Sequence, residues 1–157
     1  MGRFKAIPSK IKTWEISLQY ELVLHTKGGT RQNKVFAENV IGILDTLSKD
    51  KNADFTIGVI TPYKGQVLLL RALKKEREYD EHFDSRVKIG TVHTFQGSEC
   101  DIIIFDMVDC SKLASGHPNR IGQLYYGEEG ERLMNVAVSR ARHKLILVCD
   151  PESLLSR

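Results

Sequence analysis

Two arginines two residues apart, Arg140 and Arg142, close the apolar, small-residue stretch Val136-Ala137-Val138-Ser139-Arg140-Ala141-Arg142. A guanidinium is permanently charged and presents a planar fork of donors that matches phosphate oxygens. The stretch reads as the end of a helix, and the strand-like run Lys144-Leu145-Ile146-Leu147-Val148 follows it almost at once. An arginine held there can reach a phosphate carried by a neighbouring domain and neutralise the charge that develops as a phosphoryl group is transferred. The usual cradle for that phosphate is absent, because no G-x-x-x-x-G-K-[ST] loop occurs in these residues.

Two other segments carry candidate chemistry. Thr61-Pro62-Tyr63-Lys64-Gly65-Gln66 follows one expected strand, and Thr91-Val92-His93-Thr94-Phe95-Gln96-Gly97-Ser98-Glu99 follows the next. Gly97 allows close backbone approach, and Gln96 and Glu99 set an amide and a carboxylate beside it. A carboxylate suits ribose hydroxyls rather than phosphates. Taken singly, each segment has an ordinary structural explanation. The first can be a strand stop and helix cap, the second a tight turn, and the third a helix whose arginines form surface ion pairs.

The elements that would position these residues follow from periodicity. Glu21–His25 reads as a short strand. Asn33 suits a helix N-cap, and Phe36, Val40, Ile43, Leu44 and Leu47 follow at helical spacing, which predicts an amphipathic helix over Lys34–Ser48. The β-branched run Phe55–Thr61 predicts a buried strand stopped by Pro62. A helix is expected over Lys64–Tyr79, strands over Arg86–Val92 and Asp101–Val108, a helix over Glu129–Arg142 and a strand over Lys144–Cys149. Asp101–Val108 is apolar almost throughout and therefore central. Pro151–Leu155 is expected to open a last helical turn.

Strands alternate with helices and are continuously apolar, the signature of a parallel sheet covered on both faces. One connection departs from the rule. Thr94–Cys100 is too short for a helical crossover, so the strands it joins either pair antiparallel or lie apart in the sheet. Asp109–Glu128, with Gly116, Pro118, Gly122 and Gly127, reads as a long surface loop. In open sheets of this kind ligands sit beyond the carboxyl ends of strands, and the three candidate segments fall at strand ends: two after the second and third expected strands, and Asn135–Arg142 before the fifth.

The 157 residues suffice for one domain with a core, at 41% hydrophobic and 27% charged content. A net charge of +3 permits nucleic-acid binding without arguing for it. Cys100, Cys110 and Cys149 form no C-x-x-C pair and are odd in number, which argues against a disulfide framework or a zinc site and suits a reducing compartment. His25, His82, His93, His117 and His143 lack metal-ligand spacing. No apolar run is long enough to span a membrane, and Met1–Ser17 is basic without the apolar core of a secretory signal. A cytoplasmic location, or a nuclear one in a eukaryote, is expected. Asp106 and Asp109 could suggest a Mg²⁺ site, but no phosphate loop accompanies them, and a strand terminus explains them better. A dinucleotide enzyme would need a G-x-G-x-x-G turn, which this chain lacks.

In order and spacing, the three segments together resemble the second motor domain of superfamily 1 helicases, in the Upf-like and senataxin-like branch called superfamily 1B. In that family I-T-P-Y-x-x-Q is motif IV, V-x-T-F-Q-G-x-E-x-D is motif V and N-V-A-x-S/T-R-A is motif VI. Here they stand at Ile60–Gln66, Val92–Asp101 and Asn135–Ala141. The family's lead-in, an Asn before an Ala-containing helix, is matched at Asn33 and Ala37, while Phe36 stands where this branch often has an acidic residue. The resemblance runs from about Glu21 to Val148. It implies a RecA-like α/β fold, with a mostly parallel sheet of about five or six strands and helices on both faces. Residues 1–19 would be a lead-in and 20–157 the domain.

The resemblance also implies roles. Arg140 would be the arginine finger on the γ-phosphate of ATP, with Gly97 near the phosphates and Glu99 on the ribose. Gln96 would link nucleotide state to nucleic acid. Thr61, Pro62, Tyr63, Thr91 and His93 would line a single-strand groove. Arg142 could support the finger or meet nucleic acid. ATP and Mg²⁺ would be held mainly by an N-terminal RecA-like domain, whose phosphate loop and acidic pair are not in this chain. The implied partners are that domain and single-stranded DNA or RNA. The chain alone is expected not to hydrolyse ATP. A second reading is a stand-alone module, derived from a helicase half, that binds nucleic acid or protein without turnover.

Overall fold

Strands whose two faces are both covered read as continuous apolar runs, and the computed structural model shows this in the runs at 57–61 and 100–106. It describes residues 24–25, 30–51, 53–109 and 127–150. In chain order the elements are β1 (Leu24–His25), β2 (Arg31–Gln32), α1 (Lys34–Leu47), β3 (Ile57–Thr61), α2 (Lys64–Glu76), a short α3 (Glu81–Asp84) and β4 (Val87–Thr91). A 3-10 turn (Val92–Phe95) follows, then β5 (Cys100–Asp106), α4 (Gly127–Val138) and β6 (Ala141–Val148). The expected lead-in at 1–19, the loop after Asp109 and the helical turn at Pro151–Leu155 lie outside the described residues, the loop almost wholly so.

The main sheet runs in the order β4-β3-β5-β6, and every neighbouring pair is parallel. Alternate residues of each strand serve opposite faces. Ile57, Val59, Ile89, Ile102 and Ile104 meet α1, α2 and Phe83 of α3 on one face. Ile60, Ile103 and Phe105 meet Phe95 and Ala137 on the other, under the 3-10 turn and α4. The parallel α/β architecture with helices on both faces is thus as expected, although among the described residues the main sheet has four strands. The strand expected at 21–25 does not join it. Its described part, β1, pairs antiparallel with β2 in a separate two-stranded sheet.

Asn33 caps α1 as its type suggests, its side-chain oxygen accepting from the Phe36 amide at 3.1 Å. Phe36 is 7% exposed in the core beneath that cap, which gives an apolar residue there a packing reason. Helix α2 stops three residues short of the expected end, just before Glu78 takes a left-handed φ of 48°. Helix α4 also stops early, at Val138. The Arg140 carbonyl accepts from the Cys100 amide at 3.0 Å, and Ala141 enters register with Cys100, which draws the chain into β6.

The short connection between β4 and β5 leaves the two strands apart, with β3 between them and parallel to both. A five-residue strand is about 17 Å long. The eight residues Val92–Glu99 can span up to about 27 Å, so they can descend the sheet without a full helix, provided they lie flat on it. Two glycines permit that. A Cβ on Gly58 would sit 2.7 Å from the Phe95 ring and 2.6 Å from Ile103, and one on Gly90 would sit 2.9 Å from Thr94. Phe95, fully buried, fills the space they leave. No helix among the described residues is long and apolar enough to cross a membrane.

Candidate functional site

Because the crossover runs the full depth of the sheet, it divides the candidate residues between two edges. Thr61, Pro62, Tyr63 and Thr91 lie at the carboxyl ends of β3 and β4, with His93 just beyond Thr91 in the 3-10 turn. Gln96, Gly97 and Glu99 lie at the opposite, amino edge, immediately ahead of β5. Arg140 and Arg142 sit there too, because α4 delivers the chain to the start of β6. All three segments stand at strand ends, but on two different edges of the sheet. Motif V begins at one edge and finishes at the other, and motif VI precedes its strand.

At the amino edge, residues far apart in sequence are brought together. Gly97 takes a φ of 78°, a conformation that favours glycine, and none of the described residues comes within 4 Å of where its Cβ would be. Gln96, Gly97 and Glu99 are exposed. Lys88 of β4 braces the turn. Its ammonium donates to the Thr94 carbonyl at 3.5 Å and the Ser98 hydroxyl at 3.3 Å, and lies 4.8 Å from the centre of the Phe95 ring. Arg142 donates from Nε to Glu99 Oε2 at 3.1 Å, so the second arginine meets the carboxylate rather than the first arginine. Asp101, the last residue of motif V, accepts from both the amide and the hydroxyl of Thr56 at 2.8 Å and lies 3.6 Å from His143. Burial works against its charge, but the Thr56 donors outweigh it and hold the carboxyl below the usual range.

Arg140 is half-buried and folded back on its own helix. Its Nε donates to the Val136 carbonyl at 3.2 Å, and Nη2 donates to the Ser139 hydroxyl at 3.1 Å. The Ser139 hydroxyl in turn donates to Val136 at 3.0 Å. A cation at a helix C-terminus is favoured by the unsatisfied carbonyls there. No carboxylate among the described residues pairs with Arg140.

The carboxyl edge is built on a buried polar network. Gln66, the last residue of motif IV, is fully buried. It accepts from the Asn33 amide at 2.8 Å and donates to the Asn33 carbonyl at 2.9 Å and to Asp106 Oδ2 at 2.7 Å. Asn33 also donates to the Val108 carbonyl at 3.0 Å, and the Val108 amide donates to Asp106 at 3.1 Å. Burial pushes the Asp106 carboxyl up to about 7 against the pull of these donors. Tyr63 donates its hydroxyl to Asp109 at 2.7 Å, and burial together with that carboxylate pushes the phenol up. Arg31 pairs with Asp109 and lies over the Tyr63 ring at 5.6 Å. Asp106 and Asp109 thus have their oxygens engaged by protein donors and do not fit a Mg²⁺ site. Among the described residues no group of three metal-ligating side chains occurs.

Thr61 is fully buried, and its hydroxyl finds no partner among the described residues. Pro62 and Tyr63 are half-buried, Thr91 is half-buried and bonded to Thr94 at 3.1 Å, and His93 is exposed. Lys88, Ser139 and Arg31 join the site only through the fold. None belongs to a quoted motif except Ser139, and no local pattern distinguishes a bracing lysine or arginine from any other surface cation.

A family model described as an AAA domain matches residues 9–152. Helicase sen1 of Schizosaccharomyces pombe is 40% identical over 120 residues, which cover 74% of this chain and 6% of that protein. ATP-dependent helicase NAM7 of Saccharomyces cerevisiae is 30% identical over 132 residues, 83% of this chain and 13% of its own. The Regulator of nonsense transcripts 1 homolog of Drosophila melanogaster is 32% identical over 123 residues, 78% of this chain and 10% of its own. The chain therefore spans between 6 and 13% of the length of these three relatives. With the motifs and the parallel α/β sheet in place, the chain belongs to this AAA-domain family, among the Sen1- and Upf-like superfamily 1 helicases.

Proposed function

We propose that this domain is the second motor half of an ATP-dependent helicase or translocase acting on single-stranded nucleic acid. The observation that supports it most is the gathering of Gln96, Gly97, Glu99 and Arg140 at one open edge of the sheet, from segments about forty residues apart. In this reading an N-terminal RecA-like domain holds Mg²⁺–ATP, and Arg140 leaves the Val136 carbonyl to meet the γ-phosphate when the two halves close. Glu99 takes the ribose. Pro62, Tyr63, Thr91 and His93 grip the strand at the other edge, through contacts that ignore base identity. Closure on ATP and opening after hydrolysis move one half along the strand relative to the other. The test has two parts. The isolated chain should show no ATP turnover with single-stranded DNA or RNA present. The protein that pairs it with a phosphate-loop domain should turn over ATP, and Arg140→Ala should abolish hydrolysis while nucleotide binding persists. Robust turnover by the chain alone, or equal loss of binding and hydrolysis in the variant, would overturn the reading. Strand binding that no nucleotide alters would favour the stand-alone module.

A further inference from the structure

We propose that Arg142 is a positioning residue that aims the Glu99 carboxylate at the sugar of the bound nucleotide; this rests on the nucleotide site proposed above. Glu99 immediately precedes Cys100, and Cys100 is in register with Ala141, the residue before Arg142. The Cys100 amide donates to the Arg140 carbonyl at 3.0 Å, so the backbone beneath both side chains is fixed by the sheet. On that base Arg142 Nε holds one carboxylate oxygen, Oε2, at 3.1 Å. The other oxygen, Oε1, accepts no hydrogen bond among the described residues. An ionised carboxylate can only accept, and the hydroxyls of a ribose can donate. One oxygen tethered and one free makes an oriented acceptor out of a side chain that, exposed and unpaired, would be divided among many rotamers.

The exposure of the pair separates this role from a structural one. The side chains of Arg142 and Glu99 are 54% and 51% exposed, so their attraction is strongly screened and contributes little to folding. Loss of Arg142 is therefore expected to alter recognition of the sugar and leave the stability of the domain intact.

The experiment is steady-state turnover by the full-length protein at saturating single-stranded nucleic acid, with ATP and with 2′,3′-dideoxy-ATP. Wild type should favour ATP. Arg142→Ala should raise KM for ATP by about three- to ten-fold, with kcat and thermal midpoint nearly unchanged. KM for the dideoxy nucleotide should not move. Arg142→Lys should recover part of the loss, and Arg142→Ala should add nothing in a Glu99→Ala background. Arg142→Gln, which keeps length and a donor without charge, serves as the second variant if the alanine form folds poorly. An unchanged KM for ATP, an equal rise for both nucleotides, or full additivity with Glu99→Ala would overturn the inference alone. A wild-type protein without ATP turnover would overturn the parent reading and this inference with it.

Discussion

Arg140 and Tyr63 each spend their donors inside the domain, one on the end of its own helix and one on a buried carboxylate. The Arg140 fork rests on a carbonyl and a hydroxyl at the exposed end of α4, partners that water can replace at little cost. If the residue acts as a finger, Arg140→Ala lowers turnover by about 10³-fold or more, and Arg140→Lys should not rescue it, since an ammonium lacks the planar fork. Single-turnover assays beside nucleotide titrations check this. Tyr63 is different, because its hydroxyl faces the nearly fully buried Asp109. Tyr63→Phe removes a donor from a buried carboxylate and should cost about 1–2 kcal/mol, read as a lower denaturant midpoint at constant slope. An unchanged midpoint would mean that Arg31 suffices for Asp109.

The element on which both edges depend is the crossover from Val92 to Glu99. Its buried anchor is Phe95, and its seat is the pair of bare backbones at Gly58 and Gly90. Gly58→Ala would press a methyl against Phe95 and Ile103, and overpacking of this kind costs about 1–3 kcal/mol. The strain should lift the turn as well as lower stability. Hydrogen exchange at Gln96 and Ser98, whose amides bond to the His93 and Phe95 carbonyls, should speed up more than exchange in α1. Uniform acceleration across the domain would show that the turn is not singled out. The helices and strands themselves were largely legible from periodicity and from the Asn33 cap, within a few residues at their ends. The ends shifted where a long-range bond took over, as when the Cys100 amide drew Arg140 out of α4.

Across the whole molecule, the buried network of Asn33, Gln66 and Asp106 joins the start of α1, the start of α2 and the end of β5. Its carboxyl makes stability depend on pH. The Asp106 value is about 7 in the fold, whereas an unfolded aspartate titrates near ~3.9. The folded state therefore binds the proton more tightly, and this group's contribution to stability falls as pH rises from about 4 to about 7, then levels off. Asp101, held low, contributes the opposite slope at acid pH, so the comparison must be with a variant. Asp106→Asn sets an amide donor against the Gln66 or Val108 N–H and should be less stable than wild type at low pH. That deficit should narrow as pH rises through the same window, in denaturant titrations at several pH values. A deficit independent of pH would mean that Asp106 keeps its charge in the fold.

The motifs, their order, the alternation of strand and helix, and the family are all legible along the chain, because periodicity, caps and short motifs are local. The sequence by itself also marked the Thr94–Cys100 link as too short for an ordinary crossover. The tertiary structure alone decided which strands that link separates, that motif V spans both edges of the sheet, that Thr61 is buried, and that Arg142 belongs to Glu99. Each of these depends on which residues a parallel sheet sets side by side. That pairing comes from non-local hydrogen bonds and packing, to which spacing along the chain gives no access.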